Sequence, residues 1–136
     1  MSRHARHHAL TQVGEAGQQK IGDARVLIIG VGGIGCAAAS YLASSGVGQL
    51  TLNDFDTVDA TNLSRQILFT PDDVGANKAT AAATRLAAMN PDIQITVVPD
   101  RLAADAMASA VANADVVLDG SDNFATRFLV NDACVT

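Results

Sequence analysis

The chain has no tryptophan and a single tyrosine, and aromatic residues make up only 4% of it. A surface that stacks nucleobases needs more rings than that. The net charge of −5 likewise argues against a nucleic-acid partner. Cysteine is scarce too. Cys36 and Cys134 stand far apart in segments that pattern as helices, which gives no support to a disulfide framework or a zinc site and makes a reducing cytoplasm the expected compartment. Long apolar runs are missing: every apolar segment is broken by glycine or charge well before the roughly 20 residues a bilayer span needs, so no membrane role is expected. Arg3, His4, Arg6, His7 and His8 crowd the N-terminus without an apolar stretch behind them, so the start is not a secretory signal. Nor is there an internal repeat or a low-complexity tract. What remains is a chain of 136 residues, 49% hydrophobic and 17% charged, the size and composition of one globular domain.

The most informative stretch runs from Arg25 to Gly35. Arg25–Ile29 is short, apolar and β-branched, the pattern of a strand buried on both faces. Gly30, Gly32 and Gly35 follow in G-x-G-x-x-G spacing, at the point where that strand must turn into a helix over about 34–45. The first glycine permits the tight turn, the second lets backbone approach a phosphate, and the third lets helix pack on strand. The helix start would aim its free N–H groups and positive dipole end at an anion. This spacing suits NAD, FAD and ATP alike.

Along the rest of the chain, residues 1–22 read as an arm whose histidines are better taken as solvated than as metal ligands, since no Cys or acid is spaced with them. The nucleotide-binding domain then occupies 23–136. A second strand, Gln49–Asp54, ends on an acid at the place where a nucleotide-binding βαβ unit keeps its ribose ligand. Asp56 and Asp59 follow it. A helix over about 76–89 carries Lys78 in its first turn, where a cation opposes the dipole and suggests a nearby anion. Ile93–Val98 is a third strand. A helix over about 103–113 should turn Ala106, Met107, Ala110 and Val111 inward. The fourth strand, Asp115–Asp119, leads through Gly120-Ser121-Asp122-Asn123 into a last helix with Phe124, Phe128 and Leu129 as its buried face. Asp122 reads equally as a helix cap or as a metal- or phosphate-edge acid. The alternation predicts an α/β Rossmann-like, doubly wound, mainly parallel sheet with helices on both faces. Its carboxyl edge should gather the glycine loop, Asp54 and Asp122.

Several stretches together resemble the MoeB/ThiF family, the bacterial relatives of the ubiquitin-activating enzymes. They are Gly30-Val31-Gly32-Gly33-Ile34-Gly35, Asp54-Phe55-Asp56, Asn62-Leu63-Ser64-Arg65-Gln66, Lys78 and Asp119-Gly120-Ser121-Asp122-Asn123, with Arg3-His4-Ala5-Arg6 and Gly17-Gln18-Gln19-Lys20 before them. The resemblance covers nearly the whole chain in order. It implies an ATP- and Mg²⁺-dependent adenylyltransferase acting on the C-terminal glycine of a ubiquitin-like sulfur carrier of the MoaD or ThiS kind, in molybdopterin or thiamin synthesis, and working as a homodimer. By that resemblance Gly33 meets the nucleotide and Asp54 binds its ribose. Asn62 and Arg65 reach the phosphates, Lys78 holds the phosphate chain, and Asp122 orients Mg²⁺. Asp56, Thr61, Leu63, Ser64 and Asn123 complete the expected nucleotide contacts, and Arg6 serves the partner subunit's ATP.

There are departures. The loop reads Ala60-Thr61-Asn62-Leu63-Ser64-Arg65 where relatives more often have Leu-Ser-Asn-Leu-Gln-Arg, and His4 stands where the family has tyrosine. Family members also continue past the equivalent of Thr136 with more sheet, a carrier-binding surface and Cys-x-x-Cys zinc ligands that this chain does not contain. The expectation is therefore a fragment that holds the ATP half of the site and is inactive alone. Two other readings stay open on the residues: an NAD- or FAD-dependent oxidoreductase domain, and a nucleotide-binding module without catalysis. The oxidoreductase reading leaves Asn62, Arg65 and Lys78 without a task.

Overall fold

Arg25–Ile29 is the central strand because it is the one segment apolar enough to be covered on both sides. In the computed structural model, which describes residues 2–136, this β1 is four-fifths buried along its length, and Ile28 is wholly so. It pairs in parallel with β2 (Gln49–Asn53) on one side and β4 (Val116–Asp119) on the other, and β2 pairs with β3 (Gln94–Val98). The strand order is β3-β2-β1-β4, so winding reverses between β1 and β4, the place where open α/β sheets bind ligands.

The pleat sorts the core into two layers. Val26, Ile28, Leu50 and Leu52 pack with Ala39 and Ala43 of α3 (Gly33–Ser45) and with Ala79, Ala82 and Leu86 of α4 (Lys78–Met89). On the opposite face Leu27 and Ile29 pack with Met107 of α5 (Ala104–Ala112) and Val130 of α6 (Phe124–Val135). Alanines on α3 and α4 let those helices sit close to the sheet.

Two inward faces differ from expectation. Phe124 and Phe128 are 75% and 65% exposed, and the buried residue of α6 is Val130. Leu129, Val130 and Ala133 face α5 and the sheet. Phe124 and Phe128, one turn apart with ring centroids separated by 6.5 Å, lie on the far side. Ring size suggested them as core, but helical spacing from Val130 decides. Likewise Ala106 is exposed, because the inward stripe of α5 runs through Met107, Ala110 and Val111.

The arm is folded and docked. It forms α1 (Ala5–His8) and α2 (Gly14–Asp23), which runs one residue past the boundary expected at 22. His7 Nδ1 lies 2.8 Å from Gln18 Oε1, and Gln18 Nε2 donates to Ser45 O at 2.9 Å. Arg3 donates to Met89 O. His4 is half-buried rather than solvated, with its ring against Gly46. Burial first, then the neighbouring His7, Arg3 and His8, lowers its pKa. The contacts of Gln18, Arg3 and His4 beyond the arm are to the C-terminal ends of α3 and α4, the edge of the sheet opposite the strand exits.

Three glycines close the turn between strand and helix. Gly30 has φ +88°, and a Cβ there would lie 2.9 Å from the carbonyl carbon of Gly120. A Cβ on Gly35 would lie 2.0 Å from Gly30 O. Gly22, inside α2, has nothing within 4 Å of a built Cβ. Gly22→Ala should therefore raise stability by about 0.5–1 kcal/mol. Gly35→Ala should lower it by about 1–3 kcal/mol, the clash outweighing the helical gain. Urea unfolding of the two variants checks the opposite signs.

Candidate nucleotide-binding site

A cleft of about 400 Å³ opens at the carboxyl edge, where the exits of β1, β2 and β4 meet the starts of α3, α4 and α6. Gly30, Gly32, Gly33 and Ile34 line it on the β1 side. No side chain caps α3, and its first internal bond runs from Cys36 N–H to Gly32 O. The amides before Cys36 are left without an intrahelical acceptor, which makes this end a donor for an anion.

Asp54 follows β2 directly and is 9% exposed. Its Oδ2 accepts the Val31 N–H at 2.8 Å and its Oδ1 accepts the Asp56 N–H at 2.8 Å. The carboxylate thus pins the glycine loop to the exit of β2. It still has acceptor capacity, because a carboxylate offers about four lone-pair sites. The side chain of Asp56 makes no hydrogen bond among the described residues, and Asp56 lines the cleft.

Lys78 is 8% exposed and lines the same cleft. Its N–H donates to Asp56 O at 2.9 Å, and Asn77, the N-cap, accepts the Thr80 N–H. Among the described residues its ammonium has neither an ion pair nor a hydrogen bond. A cation at the wall of the cleft with no protein partner among the described residues is suited to receive an anion there. Arg65 also lines the cleft, with only a long 3.4 Å bond to Thr61 O.

The loop before Arg65 is engaged otherwise. Asp59 caps a 3-10 turn over Ala60–Ser64: its carboxylate accepts from Thr61, and Asn62 Oδ1 accepts the Asp59 N–H in return. Those bonds to Thr61 hold the Asp59 carboxyl below its usual pKa. Thr61, Asn62, Leu63 and Ser64 lie outside the lining of the cleft, and Leu63 packs on the core.

On the β4 side Asn123, not Asp122, caps α6 by accepting the Thr126 N–H at 2.8 Å. Asp122 is exposed, bonded to nothing among the described residues, and lines the cleft beside Asn123. Asp119 takes the Ser121 N–H and hydroxyl, and Arg127 donates twice to Ser121 O. The cap reading of Asp122 is thereby removed.

Arg6 sits on α1, exposed, away from the cleft and at the far edge of the sheet. Lining residues not singled out from sequence include Gln66, whose buried Oε1 has no partner among the described residues, Phe55, Arg101 and Arg127. Gln66 lay inside a motif already quoted. Arg101 follows the exit of β3, which topology alone marks as cleft.

The ThiF family model matches residues 4–136. The chain is 51% identical over 133 residues to the sulfur carrier protein ThiS adenylyltransferase of Escherichia coli, covering 98% of this chain and 53% of that protein. It is 52% identical to the molybdopterin-synthase adenylyltransferase of Salmonella typhimurium, covering 88% and 48%. The crystal structure of the Escherichia coli tRNA N6-threonylcarbamoyladenosine dehydratase superposes with a TM-score of 0.90 at 34% identity, over 97% of this chain and 55% of that one. Its complex with ATP superposes at 0.86 and 35%, over 91% and 51%. The chain spans about half the length of the curated relatives it matches. It belongs to the ThiF family.

Because Asp54 pins the loop, its removal is not neutral for the fold. Asp54→Ala strands the Val31 and Asp56 amides and should cost about 1.5–3 kcal/mol, the range for bonds to a charged acceptor. Asp54→Asn, which keeps one acceptor oxygen, should cost less. Equal stability of all three proteins in urea unfolding would show that the pin holds nothing.

Proposed function

We propose that this member of the ThiF family binds ATP in the cleft and, as part of the full-length protein, adenylylates the C-terminal glycine of a ubiquitin-like sulfur carrier. The single observation that carries the reading is Lys78, a largely buried lysine that lines a cleft headed by the start of α3 and whose ammonium has no protein partner among the described residues. A dinucleotide-dependent oxidoreductase gives Lys78 and Arg65 no work, and similarity to two named adenylyltransferases at 51% and 52% identity favours the same side. The dehydratase at 34% shares the fold and an ATP complex, so the choice of a sulfur carrier rests on the closer sequences.

In the reaction the carrier's terminal carboxylate attacks the α-phosphorus of ATP, the bond to the β-phosphate oxygen breaks, and pyrophosphate leaves with its electrons. The protein's part is position and charge. The amides of the glycine loop and Lys78 hold the phosphates, Arg65 spreads negative charge as pyrophosphate departs, and Asp54 keeps two acceptor sites for the ribose hydroxyls. Asp122 is the residue assigned to Mg²⁺, and Asp56 is a second carboxylate that lines the cleft with no side-chain hydrogen bond among the described residues. Among the described residues no group of three His, Cys, Asp or Glu gathers for a metal. That fits Mg²⁺, which takes one or two protein carboxylates and keeps its waters and the phosphate oxygens, where it would neutralise the leaving charge. Free thiols at Cys36 and Cys134 suit a reducing cytoplasm.

The reading takes the working unit to be a homodimer in which Arg6 serves the partner subunit's ATP. Its own chain holds Arg6 at the edge opposite the cleft, so any role in catalysis must be in a neighbour. The test is ATP–pyrophosphate exchange by the full-length protein with a sulfur carrier ending in glycine. Wild type should exchange only when the carrier is present. Arg6→Ala and Lys78→Ala should each fall about 10³-fold if both groups stabilise the transferring phosphates. Mixed Arg6→Ala and Lys78→Ala subunits should recover towards half of wild type per dimer, because one site then holds both residues. No exchange by wild type overturns the reaction. Mixed dimers, confirmed by native mass spectrometry, that recover nothing overturn action across the dimer.

A further inference from the structure

The nucleotide reading leaves Phe55, beyond the exit of β2, and Arg101, beyond the exit of β3, unexplained. Asn53, 5% exposed, donates through Nδ2 to Val98 O at 2.9 Å and to Asp100 O at 2.8 Å. This clamp holds the loop that leaves β3 against the end of β2. It brings Arg101 over Phe55, with the guanidinium carbon 4.3 Å from the ring centroid. Among the described residues the Arg101 guanidinium has no hydrogen bond and no ion pair. Both side chains line the cleft, and Leu102 and Met107 line it beside them with apolar surface.

The cleft therefore has two chemically different ends. Around the glycine loop at the β1 exit stand helix amides and Arg65, and Lys78 lines the cleft from the start of α4: the equipment for phosphates. Asp54, the ribose acid, lies one strand over at the β2 exit. A nucleotide laid in that order carries its base onward to the exits of β2 and β3, where the surface changes to a flat cation on a ring and to aliphatic side chains. A guanidinium plane already stacked on one face offers its other face to a second π-system.

Resting on the ATP reading above, we propose that Arg101, set in place by Phe55 and the Asn53 clamp, is the base-binding residue of the cleft and stacks on adenine. Phe55 is a positioning residue in this arrangement. Arg101 contributes to recognition of the base and nothing to the phosphates.

The test is calorimetric titration of the full-length protein with ATP and, separately, with inorganic triphosphate, which lacks the base. Arg101 is exposed and Phe55 is 44% exposed, so substitution at either should leave thermal unfolding unchanged. Arg101→Ala should weaken ATP by about five- to thirty-fold, the range for a cation–π contact partly out of water, and leave triphosphate binding as in wild type. Phe55→Leu should weaken ATP in the same direction, Phe55→Tyr should restore it, and the double variant Arg101→Ala/Phe55→Leu should be no worse than Arg101→Ala, since both act through one stack. Equal weakening of ATP and triphosphate by Arg101→Ala would make Arg101 a phosphate ligand and overturn the proposal. ATP binding that ignores Arg101→Ala overturns it as well while leaving the ATP reading standing. A wild-type protein that does not bind ATP overturns both.

Discussion

The bond between the Val31 N–H and the Asp54 carboxylate, 2.8 Å long and buried, is the contact on which the cleft depends. It joins the glycine loop at the exit of β1 to the exit of β2, and the second carboxylate oxygen carries on to Asp56. Asp56 O in turn receives the Lys78 N–H, which sets the start of α4. Asn77, the cap of α4, reaches back to Asp54 O at 2.9 Å. One acid thus fixes the phosphate loop, the loop that bears a free carboxylate, and the helix turn that bears the cation. Under the proposed function, the lone pairs left over are what it would offer a ribose.

This arrangement joins stability and binding at the same residues. Gly30, Gly35 and Gly120 let three backbones meet where side chains would collide, and the reward is an uncapped helix start facing the cleft. Lys78 is placed against the helix dipole, a position that is unfavourable without an anion. Cys36, by contrast, is buried under the same loop and pushed up to about 11, chiefly by burial. That keeps it a neutral thiol packed in the core rather than a nucleophile.

The strands and the order of elements were legible because their signals are local. Arg25–Ile29 is apolar enough to be central, and the glycine spacing marks the turn that follows it. The α6 aromatics misled because size was read before spacing, and only the partners Leu129, Val130 and Ala133 show which way the helix faces. In the site, Asp54 was recognisable by position, but its use as a loop pin was not, since that depends on where Val31 N–H ends up. Asp122 could not be separated from Asn123 as a cap until the Thr126 N–H chose its acceptor. Arg101 carries no motif at all. It is brought to the cleft by Asn53, about a third of the chain away in sequence, and that kind of coupling has no local trace.

The central claim is that Lys78 anchors a triphosphate rather than a dinucleotide pyrophosphate. Calorimetric titration of the full-length protein with ATP and with NAD, for wild type and Lys78→Ala, tests it directly. The account predicts that wild type binds ATP in strong preference to NAD, and that Lys78→Ala weakens ATP by about ten- to a hundred-fold, as loss of a charged hydrogen bond implies. NAD bound as tightly as ATP, or ATP binding indifferent to Lys78, would contradict it.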